Sequence, residues 1–275
     1  MARLHRAVVV TAVDRDRFEE CAALLLDIAE STRTGRGGAL LQDGRPVPGV
    51  RLVKGRHLRA GARYTVAPNP AEPSPGKTQE TPGETMTVRI REWRRSTAIA
   101  VEQHMSAAGT EARVRLRLTT PDRPSALEAG LALRNPSGGF LQRISGRAKA
   151  DLNAWWAAAD APAGALPAAR APVTARARHP LGRASVALRV RPADGGAWEV
   201  GVTLTVSGRG LLRPPAALAL LLFRIPLRRA FRSGVDEAAA RWTAAVDGGL
   251  PSADALRAEL AGALASRNPP DTLPR

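Results

Sequence analysis

Apolar and polar residues alternate along six stretches of the chain, and a period of two is typical of strands with one buried and one wet face. In the clearest stretch, EARVRLRLTT, every second residue from Arg113 to Arg117 is an arginine and the residues between them are aliphatic. Short connections join the first three stretches, which predicts an antiparallel meander. The six predicted strands are residues 85–93, 97–105, 111–120, 173–179, 183–191 and 198–206.

Apolar residues recur at steps of three and four elsewhere, which predicts helices. The longest such segment runs from Gly208 to Val246, and Pro226 inside it should kink or split the helix. A further strand, residues 6–13, precedes the first helix. The other predicted helices are residues 14–30, 140–158 and 252–264.

This order of elements predicts an α+β fold in which a long C-terminal helix closes a curved antiparallel sheet. An Ala/Pro-rich linker at 161–172 is the best candidate for a domain boundary. It separates a first domain at 1–160 from a second strand-and-helix lobe at 173–247, and a short helix and tail follow at 248–275. The second lobe is either a reduced copy of the first or the completion of one larger sheet.

The charge balance adds a possible partner to this picture. The chain of 275 residues has 41 Lys and Arg against 25 Asp and Glu, a formal net charge of +16. Such a surplus predicts an anionic partner, either a membrane surface or a nucleic acid. The alternative is an ordinary solvated surface, because the arginines are spread along the chain without a block of five or six.

Several classes of site and location are disfavoured by what the sequence lacks. Cys21 is the only cysteine and the four histidines are far apart, so no zinc pattern can be written. No Walker loop, GxGxxG or GxSxG sequence is present. We therefore expect no metal and no cofactor. Since no apolar run approaches the ~20 residues of a membrane span, and none near the N-terminus fits a secretion signal, we expect a cytoplasmic protein.

Three segments carry a family resemblance: RAVVVTAVDRDRFEECAALLLDIAE, the strands from Thr85 to Thr120, and FLQRISGRAKADLNAWWAA. Their order over the first 160 residues resembles the SRPBCC or START-like superfamily, which includes polyketide cyclases and lipid carriers. The resemblance implies a helix-grip fold, in which the sheet curls around the closing helix and leaves a cavity. It also implies that this cavity binds an apolar small molecule or lipid, or serves an enzyme of the polyketide cyclase/dehydratase type.

Two groups of residues are candidate binding sites. Polar or soft side chains on otherwise apolar faces would contact a ligand in such a cavity. They are Tyr64, Gln103, Met105, His179 and Trp198, and each is also explained as an ordinary core or strand-end residue. Arginines on the wet side of the sheet would instead bind an anionic membrane or nucleic acid. They are Arg89, Arg91, Arg113, Arg115 and Arg117.

Catalysis is left open by the sequence. Glu102 and His104 share a strand face and form the one candidate pair for acid–base chemistry. The leading hypothesis is a binding protein for an apolar small molecule, with the enzyme and the arginine-rich anion binder as alternatives.

Overall fold

The computed structural model describes residues 1–66, 85–107, 109–136, 138–162, 169–208 and 224–248. Within these residues the chain forms thirteen strands and three α-helices. The strands are β1 Ala2–Thr11, β2 Arg33–Thr34, β3 Ala39–Gln42, β4 Arg45–Lys54, β5 Arg63–Val66, β6 Thr85–Arg94, β7 Ala98–Ala107, β8 Thr110–Thr119, β9 Ala126–Arg134, β10 Arg143–Asp151, β11 Val173–His179, β12 Gly182–Ala193 and β13 Ala197–Gly208. The helices are α1 Arg15–Ser31, α2 Leu152–Ala159 and α3 Arg224–Asp247.

All of these strands belong to one antiparallel sheet. From β2 to β13 each strand pairs with the next along the chain, and β1 pairs with β13, so that β1 and β2 are the two edges. The six strands predicted from alternation are confirmed as β6, β7, β8, β11, β12 and β13. The turn between β12 and β13 contains Gly195 and Gly196, both with positive φ, a conformation that suits glycine in a tight hairpin.

The predicted helix-grip fold is wrong for the described part of the chain. The structure is dominated by one open sheet, and no clear arrangement of a sheet closed by one long helix is present among the described residues. Of the two alternatives for the second lobe, a separate sheet is not formed, because β10 pairs with β11 across the predicted linker. Periodicity gave the faces of the strands, but it carries no information on how many strands join one sheet.

The segment predicted as a helix at 140–158 contains a strand instead. Residues Arg143–Asp151 form β10, and only Leu152–Ala159 are helical. The sequence GRAKAD alternates small and charged residues as well as it fits a helical period, and the ladders to β9 and β11 decide in favour of the strand. The Asp151 carboxylate accepts a hydrogen bond from the Ala154 N–H at 2.9 Å and so caps the short helix.

Two hydrophobic clusters form the described core. The first is aromatic: Trp155 and Trp156 of α2 pack edge-on against Trp198 of β13, and Phe18 of α1 lies against Trp156. The second lies eight strand positions away, counted from β13 to β5 along the sheet order. Its buried members are Leu40, Ala62, Tyr64 and Ile90.

Helix α3 covers the edge strand β1. The Thr11 N–H donates to Thr243 Oγ1 at 3.4 Å, and the Thr11 carbonyl accepts from Trp242 Nε1 at 2.9 Å. These bonds occupy backbone groups that an edge strand would otherwise offer to another chain. Pro226 lies at the beginning of the described helix, and the first part of the predicted helix, 209–223, lies outside the described residues.

The predicted division into domains stays a prediction, and the tail from 249 lies outside the described residues. Among the helices that are described, none is both long and apolar enough to cross a bilayer.

Candidate anion-binding groove

The register of the sheet gathers basic residues onto one face of the central strands. On β8, Arg113, Arg115 and Arg117 point to the same side, because side chains alternate along a strand. Directly beside them lie His104, Glu102 and Ala100 of β7 on one side and Ala132, Gly130 and Glu128 of β9 on the other. This row continues across β10 and β11 through Ser145, Arg147, Lys149, Thr174, Arg176 and Arg178. We call this side of the sheet the arginine face.

A groove of about 860 Å³ runs over the arginine face. The floor residues that belong to the arginine face are small, notably Gly130, Ala132 and Ser145. Because the floor residues are short, the long arginine side chains on either side project beyond them and form the two walls of the groove. The lining contains eight cationic side chains, Arg91, Arg113, Arg115, Arg117, Arg147, Lys149, Arg176 and Arg178, against one carboxylate, Glu128.

The first wall, formed by Arg91 of β6 and Arg113, Arg115 and Arg117 of β8, is held by carboxylates. Glu102 is completely buried beneath it, with a relative exposure of 0%. Its carboxylate accepts hydrogen bonds from Arg91 Nε at 2.6 Å and Arg115 Nε at 3.2 Å. Arg113 Nε lies 3.3 Å from the same carboxylate. Three guanidinium groups thus converge on one buried anion.

These contacts decide the protonation state of Glu102. Burial by itself would raise the pKa of the carboxyl, but the hydrogen bonds and charges of Arg91 and Arg115 outweigh it and lower the pKa to about 2. His104 Nε2 lies 3.3 Å from Glu102, as the shared strand face predicted. A carboxylate that stays ionised near neutral pH and is already bound by arginines is poorly matched to acid–base catalysis.

A β-bulge completes the first wall. The register between β6 and β7 shifts between Ile90 and Glu92, which places Glu92 opposite Ala100 and so in line with Arg117. Glu92 and Arg117 form an ion pair at 3.0 Å. Arg89 lies on the same strand, opposite Glu102, and its Nε is buried without a hydrogen-bond partner among the described residues.

The second wall, formed by Arg147 and Lys149 of β10 and Arg176 and Arg178 of β11, has a different electrostatic character. Lys149 pairs with Glu128 at 3.5 Å. Within the described residues, Arg147, Arg176 and Arg178 form no ion pair with a carboxylate, and all three are exposed. Arg147 lies directly opposite Arg176 in the ladder between β10 and β11. The charge of the second wall is therefore largely available to a ligand.

The five residues predicted to contact an apolar ligand are not brought together in one described pocket. Trp198 is buried in the aromatic cluster, and Tyr64 belongs to the second cluster. Gln103 donates a hydrogen bond to Met86 Sδ at 2.6 Å, and Met105 is 37% exposed beside Met86. His179 lies at the end of β11, where its Nε2 is 2.8 Å from the Leu141 carbonyl.

Tyr64 takes part in a chain of hydrogen bonds. The Thr32 hydroxyl donates to the Ala29 carbonyl, so the Thr32 oxygen accepts from His57 Nε2 at 2.8 Å. His57 Nδ1 then accepts from the Tyr64 hydroxyl at 3.0 Å, which in turn accepts from the Leu58 N–H. Burial lowers the pKa of His57 and raises the pKa of Tyr64, so both groups are held neutral. The Tyr64 hydroxyl thus both donates and accepts a hydrogen bond within the protein.

The face opposite the arginines is apolar and partly exposed. Leu116, Leu127, Leu131 and Ile144 keep relative exposures of 41%, 42%, 38% and 42%. The register places all four on the same side of β8, β9 and β10. The central strands therefore combine a cationic face with an exposed aliphatic face.

The predicted anion surface includes the four arginines of the first wall but no residue of the second wall. The predicted helix at 140–158 contains Arg147 and Lys149 and gives them no neighbours in the sheet. The alternation of Arg147, Lys149 and Asp151 with small residues is the signal that could have revealed them. Arg176 and Arg178 lie on a correctly predicted strand, but the sequence pattern does not predict its partner strand β10.

Comparisons with known proteins add no family or function. No protein-family model matches the chain, and no curated protein or solved structure is significantly similar to it. The resemblance to the SRPBCC superfamily therefore stays a prediction. Within the described residues no group of three or more potential metal ligands lies together.

Proposed function

We propose that this protein binds the phosphate backbone of a nucleic acid in the groove on the arginine face. The observation that carries the proposal is the lining of the groove, with eight cationic side chains and one carboxylate. Part of that charge is neutralised by Glu102 and Glu92 on the first wall, but the exposed arginines of the second wall lack such partners among the described residues. A concave, cationic surface of this kind favours a polyanion.

The composition of the groove favours backbone contacts over base recognition. Single-stranded nucleic-acid sites that hold bases place aromatic rings among the basic residues. The lining of this groove contains no aromatic side chain. Binding should therefore depend on phosphate charge, with little dependence on base sequence.

The same lining distinguishes a nucleic acid from a membrane surface. Proteins that lie on anionic bilayers usually insert apolar side chains between the headgroups. Here the side chains that rise from the arginine face between the two walls are short. Leu116 and Leu131 also line the groove, but the strand alternation directs their side chains to the opposite face of the sheet. A narrow, rod-like polyanion fits the groove better than a flat lipid surface does.

Fluorescence anisotropy with a labelled 20-nucleotide single strand would test this proposal. The logarithm of the binding constant should fall linearly with the logarithm of salt concentration, with the same affinity for different base sequences. A variant with Arg147→Gln, Arg176→Gln and Arg178→Gln should bind at least about tenfold more weakly. The matched control is Arg228→Gln, Arg229→Gln and Arg232→Gln on α3, which removes the same charge away from the groove.

The triple variant on α3 distinguishes binding in the groove from a general effect of net charge. Equal losses in both triple variants would mean that only net charge matters and would contradict the groove. Stronger binding to phosphatidylglycerol vesicles than to the oligonucleotide would replace the nucleic acid by a membrane as the partner.

A second function is proposed for the opposite face, namely binding of an apolar small molecule or lipid. The supporting observation is the exposure of Leu116, Leu127, Leu131 and Ile144 on one side of three adjacent strands. Covering such a surface would contribute roughly 25 cal/mol for each Å² of apolar area removed from water. The enzyme alternative of the cyclase/dehydratase type stays a prediction.

Native mass spectrometry of the purified protein would test this second function. A co-purifying hydrophobic molecule should be lost in a Leu131→Gln variant and retained in Leu25→Gln. Leu25 is the matched control because it is an exposed leucine on α1, with a relative exposure of 56%. A protein that carries no such molecule, and gains none from added lipid, would contradict the proposal.

A further inference from the structure

Like charges face each other on the second wall and beyond it. Arg147 lies directly opposite Arg176, and Arg178 lies directly opposite Arg183 of β12. Directly opposed side chains in an antiparallel pair have Cβ atoms only about 5 Å apart, and opposed like charges destabilise a sheet. The sheet thus keeps two adjacent pairs of arginines in an arrangement that is unfavourable without an anion between them.

Nothing in the described protein neutralises these pairs. No carboxylate forms an ion pair with any of the four arginines among the described residues. Arg183 donates from Nε to Ser207 Oγ at 2.9 Å, which fixes its side chain and leaves its two terminal amino groups for another acceptor. The nearest polar neighbours in the register are hydroxyls, Ser145 and Ser185, which can also donate to an oxyanion.

In the first wall, neighbouring arginines already have an anion between them, the carboxylate of Glu102. Arg113 and Arg115 have the same spacing along β8 as Arg176 and Arg178 have along β11. On the first wall the buried carboxylate of Glu102 lies between the guanidinium groups. On the second wall an external oxyanion would have to supply the same interaction, since guanidinium groups bind carboxylates and phosphates in the same way.

We infer that the second wall, together with the adjacent Arg183 of β12, holds two consecutive phosphate groups of the bound strand, one between Arg147 and Arg176 and the next between Arg178 and Arg183. The inference rests on the proposed function of the groove. The two pairs are displaced by two residues along β11 and by one strand across the sheet, which puts their centres about 8 Å apart. That separation is of the order found between successive phosphates of an extended nucleic-acid strand.

Paired substitutions distinguish this arrangement from a uniformly cationic groove. The probe is a fluorescein-labelled 12-nucleotide deoxythymidine strand, measured by anisotropy over a salt series. The double variants Arg147→Gln/Arg176→Gln and Arg178→Gln/Arg183→Gln should each weaken binding about tenfold and reduce the salt slope by about 0.7, the value for one phosphate of a single strand. The affinity of Arg113→Gln/Arg115→Gln for the strand should fall clearly less, because these two arginines already pair with Glu102.

The possible results distinguish failure of the two-phosphate arrangement from failure of nucleic-acid binding in the groove. If the first-wall variant loses as much affinity as the second-wall variants, the inference is overturned while groove binding stands. If the wild-type protein does not bind the strand at all, the proposed function and the inference fail together. Arg228→Gln/Arg229→Gln on α3 serves as the neutral control and should bind as the wild type does.

A measurement without ligand tests the electrostatic premise. Removing one like-charge pair with Arg147→Gln/Arg176→Gln should raise the Tm at low ionic strength, and the gain should shrink as salt screens the repulsion. A lower Tm in this variant at low salt would show that the two arginines stabilise the free protein, and that result would overturn the inference.

Discussion

The two walls of the groove have similar sequences, but in the described part of the chain carboxylates pair with the arginines of the first wall and not with those of the second. Both carry arginines at every second position of a strand, as in Arg113–Arg115 and Arg176–Arg178. The first wall contains a buried carboxylate that accepts from several arginines. The second wall contains the opposed pair Arg147–Arg176 and shares the pair Arg178–Arg183 with β12, and among the described residues no carboxylate pairs with these arginines. Whether an arginine is available to a ligand therefore depends on the residues of the neighbouring strand, and a count of basic residues cannot reveal it.

Removing the carboxylate of the first wall should have the largest effect. We expect Glu102→Ala to lower the free energy of unfolding by about 3 kcal/mol, because three guanidinium groups lose a buried partner. The value is at the low end for a buried pair since these arginines stay partly hydrated. Urea unfolding at pH 7 would measure it. Glu237→Ala, which breaks an exposed pair with Arg241 on α3, should change stability little.

The same carboxylate should give the protein a distinct acid sensitivity. The pKa of Glu102 is lowered from 4.5 to about 2, so its stabilising contribution is complete above pH 4.5 and is lost as the pH falls from 4.5 towards 2. The stability difference between the wild type and Glu102→Gln should therefore shrink across that interval. Urea unfolding at several pH values would measure it, and a difference that stays constant down to pH 2 would contradict the assignment.

Removing the charge of Glu102 should make the arginines of the first wall available to a ligand, as those of the second wall are. In Glu102→Gln the arginines lose their buried anion, and we expect affinity for the 12-nucleotide strand to rise about fivefold with a steeper salt dependence. Anisotropy would measure the change. The control is Glu237→Gln, which makes the same change in net charge on α3. An equal gain in both variants would show a general charge effect and would remove the distinction between the walls.

The smallest expected effect concerns repulsion within the second wall. Arg176→Gln should raise the free energy of unfolding by about 0.3 kcal/mol at low salt, because it removes the like-charge neighbour of Arg147. Chemical unfolding in 10 mM and 500 mM salt would test this, since the gain should vanish at the higher concentration. A gain of equal size at both concentrations would point to a cause other than charge repulsion.

The sequence by itself determined which residues share a face of a strand. Alternation placed Arg113, Arg115 and Arg117 together, and it put Glu102 and His104 on one side of β7, as the structure confirms. It failed for β10, because the alternating Gly, Ala and charged residues of that segment fit a helix equally well until β9 and β11 supply hydrogen-bond partners.

Only the tertiary structure decided which strands that are distant along the chain are neighbours in the sheet. The pairing of β1 with β13 joins residues about two hundred positions apart, and no local pattern records that contact. For the same reason the sequence could not show that Glu102 would be buried under Arg91 and Arg115, or that Arg147 would face Arg176. The faces of a strand follow from its own side chains, whereas the register between strands depends on packing of the whole sheet.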